Sequence, residues 1–176
     1  MKKLIIPVIL FLLLVLEGVA IELLPVSIFP IHYLIVPHWV FIFLVIVMLF
    51  YDTSETFFGI IYAVIFGLLI DIVYTDFLGI YMFVYPFSIY IVSLLKQVFQ
   101  ANFYITMLLS TLGIIIVEVL ILFIYTFIGV IDITNHHFLL DRLLPTILAN
   151  LLFLIFIYPL FAKRLYKWQM EQVGNF

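Results

Sequence analysis

Long apolar runs, broken only by short polar stretches, constrain this chain more than any other feature. They fall at about Leu4–Leu24, Pro37–Tyr51, Phe57–Tyr74, Ile80–Leu95, Phe103–Ile128 and Leu143–Ala162. A helix that crosses a bilayer needs roughly 20 consecutive apolar residues. Six such segments consume most of a 176-residue chain and leave no length for a separate soluble domain. Hydrophobic residues make up 68% of the chain and charged residues 10%. A water-soluble fold cannot hide that much apolar surface, whereas lipid can act as its solvent. The expectation is an all-α polytopic membrane bundle of about six transmembrane helices, forming one domain over residues 1–176.

The second segment is short. The stretch before it, Pro25–Val36, is apolar but carries Pro25 and Pro30 and runs into Pro37, which disfavours a continuous helix. A bent, membrane-embedded or interfacial segment is expected there. The start, Lys2-Lys3 followed by an apolar run and Gly18-Val19-Ala20, has the outline of a signal peptide. Glu17 interrupts the end of that run, so it reads as an uncleaved first helix.

Basic residues set the orientation. With the N-terminus inside, Lys2, Lys3, Lys96, Lys163, Arg164 and Lys167 fall on the cytoplasmic side and only Arg142 falls outside. That is a strong positive-inside bias, with both termini cytoplasmic. Tyr33, His38 and Trp39 are then expected at the outer interface, and Tyr166 and Trp168 at the inner one.

Ionisable residues inside apolar segments are costly and face protein or water. Glu17, Asp71 and Glu118 lie at about 20–22 Å from the inner face by helical rise. Arg142 heads the sixth helix, and Asn150 descends to a similar level. These five form one polar layer in the outer half of the bilayer. A structural hydrogen-bonded cluster explains it better than a proton or ion path. Within the layer, Asp71 and Arg142 are expected to pair.

The third helix repeats Gly59, Ala63, Gly67 and Asp71 every four residues. Small residues at this spacing let helix backbones approach closely. The stripe slants around the helix, and Asp71 at its end should point into the bundle. In the fourth helix Pro86 predicts a kink, with Tyr81, Tyr85 and Ser88 on one face. In the sixth, Asp141 is a candidate N-cap and Pro145 sits in the first turn. Arg142, Thr146 and Asn150 share a face.

Several chemistries are excluded or unsupported. The chain has no cysteine, so disulfides, thiolate metal sites and cysteine nucleophiles are absent. No G-x-S-x-G and no phosphate-cradling glycine loop occurs. All four histidines (His32, His38, His136, His137) map to outer loops or helix mouths. Asp132, His136, His137 and Asp141 read as solvated loop residues rather than a metal site. No basic patch suits nucleic acid. The expectation is no enzyme, no metal and no cofactor.

Two stretches resemble the MreD family of bacterial rod shape-determining membrane proteins. Phe58-Gly59-Ile60-Ile61-Tyr62 through Gly67-Leu68-Leu69-Ile70-Asp71-Ile72-Val73-Tyr74, then Leu78-Gly79, is similar to the family's glycine-rich third helix. Arg142-Leu143-Leu144-Pro145-Thr146, with Asn150 and Tyr158-Pro159, is similar to its last helix. Gly79, Pro145 and Thr146 therefore join Gly59, Ala63 and Gly67 as expected helix-packing positions. The resemblance implies a non-catalytic scaffold of the cell-elongation complex in the cytoplasmic membrane, helping to organise lateral peptidoglycan synthesis. It implies MreC as the main partner, with MreB, RodA and a class B penicillin-binding protein in the same complex. It also implies a fold similar to the substrate-binding subunits of energy-coupling-factor transporters. That likeness supplies an alternative function, a vitamin-binding transporter subunit. The small, charge-balanced polar set argues against the roomy polar pocket such a subunit needs.

Overall fold

The structure is a computed structural model and describes residues 4–23, 34–53, 56–130 and 138–173. Six helices follow one another: α1 (Ile5–Leu23), α2 (Trp39–Phe50), α3 (Phe58–Tyr74), α4 (Ile80–Lys96), α5 (Phe103–Phe127) and α6 (Leu144–Val173). No strand occurs among the described residues. A six-residue π-helical turn, Phe138–Leu143, leads into α6. Residues 24–33, which hold Tyr33, His32 and most of the proline-rich segment, lie outside the described residues, as do Asp132, His136 and His137.

Length separates the helices into two classes. α1, α5 and the π turn with α6 are each long and apolar enough to cross a membrane; α2, α3 and α4 are shorter. The 12 residues of α2 rise only about 18 Å, short of the roughly 30 Å hydrocarbon core. A helix this short is stable at membrane depth only if protein covers it and receives its ends. That is its situation here. Val40 to Tyr51 are all buried, and α2 packs against each of the other five helices. Its sequence explains the position: WVFIFLVIVMLF has no polar face, so every side of it seeks apolar company. The other helices surround it and turn Ile61, Ile65, Phe83, Phe123, Leu148 and Leu152 outward.

The small-residue stripe of α3 serves two neighbours in turn. A Cβ on Gly59 would lie 3.0 Å from Met48 Cβ and 3.1 Å from Asp52 Oδ2, at the C-terminal end of α2. A Cβ on Gly67 would lie 2.5 Å from the Tyr81 carbonyl oxygen and 2.9 Å from Met82 Cα. There α3 meets the backbone of α4, and only hydrogen fits. Ala63 between them is buried. Gly79 differs from the expectation of a packing residue. Nothing stands near its missing Cβ, but its φ of 101° is a left-handed conformation that glycine adopts without strain. It makes the α3–α4 turn.

Gly18 of α1 leaves room for the Tyr74 side chain, whose hydroxyl donates to the Leu14 carbonyl at 2.8 Å. Gly113 of α5 admits the Phe41 ring, 2.7 Å from where its Cβ would be. Pro86 and Pro159 sit inside continuous helices. Tyr85 and Ser88 are buried on one face of α4, with Tyr81 half-buried and edge-on to Tyr85 at 5.3 Å.

Two boundary expectations need correction. Asp141 is not an N-cap, because the helical chain has already begun at Phe138 and Asp141 lies inside the π turn. The last helix also does not stop at Ala162 but runs to Val173. Lys163, Arg164 and Lys167 carry no helix-breaking chemistry, so the polar tail simply continues the helix.

Candidate functional site

Leu34–His38 is a non-helical segment running into the buried N-terminus of α2. In a bilayer its amides and carbonyls find no water, so side chains must satisfy them. α6 does most of this. Thr146 Oγ1 accepts from Val36 N at 3.1 Å and lies 3.4 Å from the Leu34 carbonyl. Asn150 Oδ1 accepts from His38 N at 2.7 Å, and its Nδ2 donates to the Val36 and Thr146 carbonyls, both at 2.8 Å. Leu34 N donates to the Asp141 carbonyl at 2.8 Å. Glu17 of α1 accepts from Val40 N at 3.0 Å, on the first turn of α2. The carboxyl oxygen thus meets the positive end of that helix.

A second set of contacts binds charges together. Arg142 Nε donates to Glu118 Oε2 at 2.7 Å. Glu118 Oε1 lies 2.9 Å from His38 Nε2 and 3.5 Å from Arg142 Nη2. His38 Nδ1 is 3.0 Å from the Tyr85 hydroxyl. A carboxylate oxygen only accepts, so His38 Nε2 donates to Glu118. One carboxylate then meets one guanidinium and one imidazole, and the chain Tyr85–His38–Glu118–Arg142 is linked throughout by hydrogen bonds. Glu118 and His38 are wholly buried, while the Arg142 side chain keeps 25% of its surface. Pairing and hydrogen bonding make the buried charge tolerable.

Asp71 stands apart from this set. It accepts from Gly79 N at 2.9 Å, Tyr81 N at 2.9 Å and Met82 N at 3.0 Å. These are the donors that the start of α4 leaves open. The expected Asp71–Arg142 pair is therefore replaced by two separate devices: Arg142 pairs with Glu118, and Asp71 caps α4 from the neighbouring helix. Asp71 does point into the bundle, but its partners are backbone groups.

His38 is the residue the sequence reading misplaced. It was expected at the outer interface but is 0% exposed, because α2 begins inside the protein and not at the membrane surface. Trp39 is half-buried and stacked on Phe153 at 4.9 Å. Trp168 likewise packs against the core, while Tyr166 is exposed.

At the other end of α2 a separate group of residues closes the helix. Lys96 Nζ donates to the Met48 and Asp52 carbonyls at 2.8 and 2.9 Å. Gln169 Nε2 donates to the Asp52 carbonyl at 2.7 Å. The Asp52 carboxylate accepts from Phe58 N at 3.1 Å and Gly59 N at 2.8 Å, capping α3. Burial pushes the Asp52 carboxyl up to about 6, against the opposing pull of these amides and of Lys96. Lys96, Asp52 and Gln169 were not singled out in the sequence. The available signal was the absence of any polar residue within α2, which obliges other helices to supply its caps.

The model of the family "rod shape-determining protein MreD" matches residues 2–168. The rod shape-determining protein MreD of Bacillus subtilis (strain 168) is 28% identical over 170 residues, covering 95% of this chain and 97% of the relative. No solved structure matches. A match that runs from before α1 to Trp168 within α6 assigns this chain to the MreD family of rod shape-determining proteins.

Proposed function

We propose that the protein is a non-catalytic scaffold of the bacterial cell-elongation complex, helping to organise lateral peptidoglycan synthesis. It lies in the cytoplasmic membrane with both termini on the cytoplasmic side. MreC is its main partner, and MreB, RodA and a class B penicillin-binding protein belong to the same assembly.

One observation carries this reading beyond family membership in rod-shape determination. The acidic residues buried in the helices, with Arg142, His38 and Asn150, are spent on the bundle itself. Glu17, Asp71, Thr146 and Asn150 bind backbone groups of neighbouring elements, and Glu118, Arg142, His38 and Tyr85 bind one another. A site built for turnover instead holds groups in reserve for a substrate. Groups used this way hold one conformation rigid, which suits a surface that other membrane proteins recognise.

Depletion in the source bacterium tests it. Loss of the protein should cause widening or rounding of cells and delocalised wall synthesis, restored by the wild-type chain. Retention of normal shape and of normal incorporation of wall precursor after full depletion would overturn it.

A further inference from the structure

We infer that the inner end of α6 is a binding face for the headgroups of anionic phospholipids. The 30 residues of α6 rise about 45 Å, roughly 15 Å more than the hydrocarbon core needs. The surplus is the segment from about Ala162 onward, and it does not hang free. Ala162 and Leu165 are buried, Trp168 packs against the core, and Gln169 grips the Asp52 carbonyl just past the end of α2. That grip holds the segment at the level where the bundle leaves the hydrocarbon.

The opposite side of the same turns is exposed and basic. Lys163, Arg164 and Lys167 all face outward, with Tyr166 and Met170 beside them. Lys163 and Lys167 are four residues apart, so their side chains are neighbours on the helix and repel each other in isolation. Glu171 is the one acid in residues 163–173. Three cations against one acid leave the face net positive. The docked half of the segment fixes the height of these cations, and Tyr166 adds an amphipathic ring suited to the headgroup zone. A phosphate diester at the bilayer surface meets all three requirements: negative charge, matching depth, and an acyl chain to lie along the apolar side of α6. Lys96 is not part of this face, because its ammonium is committed to the α2 carbonyls.

The chain carries its own reporter. It has two tryptophans, Trp39 and Trp168, and the second lies in this segment. The Trp39→Phe protein, whole and reconstituted in phosphatidylcholine bilayers containing phosphatidylglycerol, leaves Trp168 as the single fluorophore. Bromine-labelled phosphatidylglycerol should quench Trp168 more strongly than bromine-labelled phosphatidylcholine at equal mole fraction. A local enrichment of about five-fold is expected from one effective surface charge. High salt should remove the preference, and so should K163Q/R164Q/K167Q, whose exposed positions leave the fold intact by circular dichroism. Equal quenching by the two lipids overturns the proposal and leaves the face to an acidic protein segment. Loss of the preference on adding millimolar inorganic phosphate at constant ionic strength also overturns it, since the face would then be a site for free anions.

Discussion

The two ends of α2 solve the same problem with different chemistry. Both are helix termini enclosed by protein, and both need partners for backbone groups that the helix cannot satisfy itself. The amino end uses Glu17 and Asn150 on the backbone, backed by the fully buried Glu118–His38 contact and the Arg142 pair. The carboxyl end uses Lys96 and Gln169 on carbonyls, with Asp52 nearby. Each group suits the helix dipole: a carboxyl oxygen accepts at the amino end, and an ammonium donates at the carboxyl end. The set at the amino end is closed around the Glu118–Arg142 pair. The set at the carboxyl end lies where α2 and α4 both terminate, and it contains a carboxyl that burial pushes up to about 6. The difference teaches that the same helix is locked from one side and adjustable from the other.

The largest expected effect is at the amino end. Arg142→Gln leaves Glu118 buried without its cation, and removing one member of a buried pair costs about 3–5 kcal/mol. Thermal unfolding in mild detergent should show this loss, and Glu118→Gln should lose a comparable amount. The double variant should be less damaged than the sum, because the two residues touch. Additive losses would break the contrast between the two ends.

Next comes the close crossing beside the amino end. Gly67→Leu should cost about 1–3 kcal/mol by overpacking, since the new side chain meets the Tyr81 and Met82 backbone. Gly59→Ala should be milder than Gly67→Ala, because its neighbours there are the Met48 and Asp52 side chains. Equal melting temperatures for these two alanine variants would show that the α3–α4 crossing tolerates separation.

Lys96→Gln at the carboxyl end should cost about 1–3 kcal/mol, the penalty of leaving the buried Met48 carbonyl unpaired. The loss should stay below that of Arg142→Gln, because the Asp52 carboxyl keeps its two amide partners. A larger loss than at Arg142 would reverse the comparison.

The smallest effect is a slope and not a loss. The Asp52 carboxyl titrates near 6 in the folded protein, against 3.8 as a free group. Between those values the folded chain holds the extra proton, so stability should fall as pH rises from about 4 to about 6 and then level off. Asp52→Asn should flatten that interval in detergent melts. An unchanged slope would assign the titration to another group.

The sequence revealed a good part of this, for identifiable reasons. Six apolar runs predict six helices because hydrocarbon accepts no unpaired backbone, and the observed bounds of α3, α4 and α5 fall within a residue of those runs. The Gly59–Gly67 stripe was visible because small residues at fixed spacing have few other uses in a membrane helix. Asp71 was legible as inward-facing, but its partners were not. They are backbone amides of α4, which every sequence has and no pattern marks. His38 was illegible for a related reason. Helical rise places a residue at the interface only where its helix spans the bilayer, and the 12 residues of α2 are too few for that.

What the sequence determined by itself is therefore the membrane class, the number of helices and the presence of ionisable residues inside apolar helices, since all three follow from where apolar surface and charge lie along the chain. The tertiary structure alone decided that α2 is the central helix, that Glu118 and not Asp71 receives Arg142, and that Asp71, Lys96 and Gln169 close the ends of helices to which they do not belong. These depend on which helix ends meet which side chains, across gaps from 8 residues at Asp71 to 117 at Gln169. Hydrogen bonding is satisfied over distances of about 3 Å in space, and linear spacing carries no record of that.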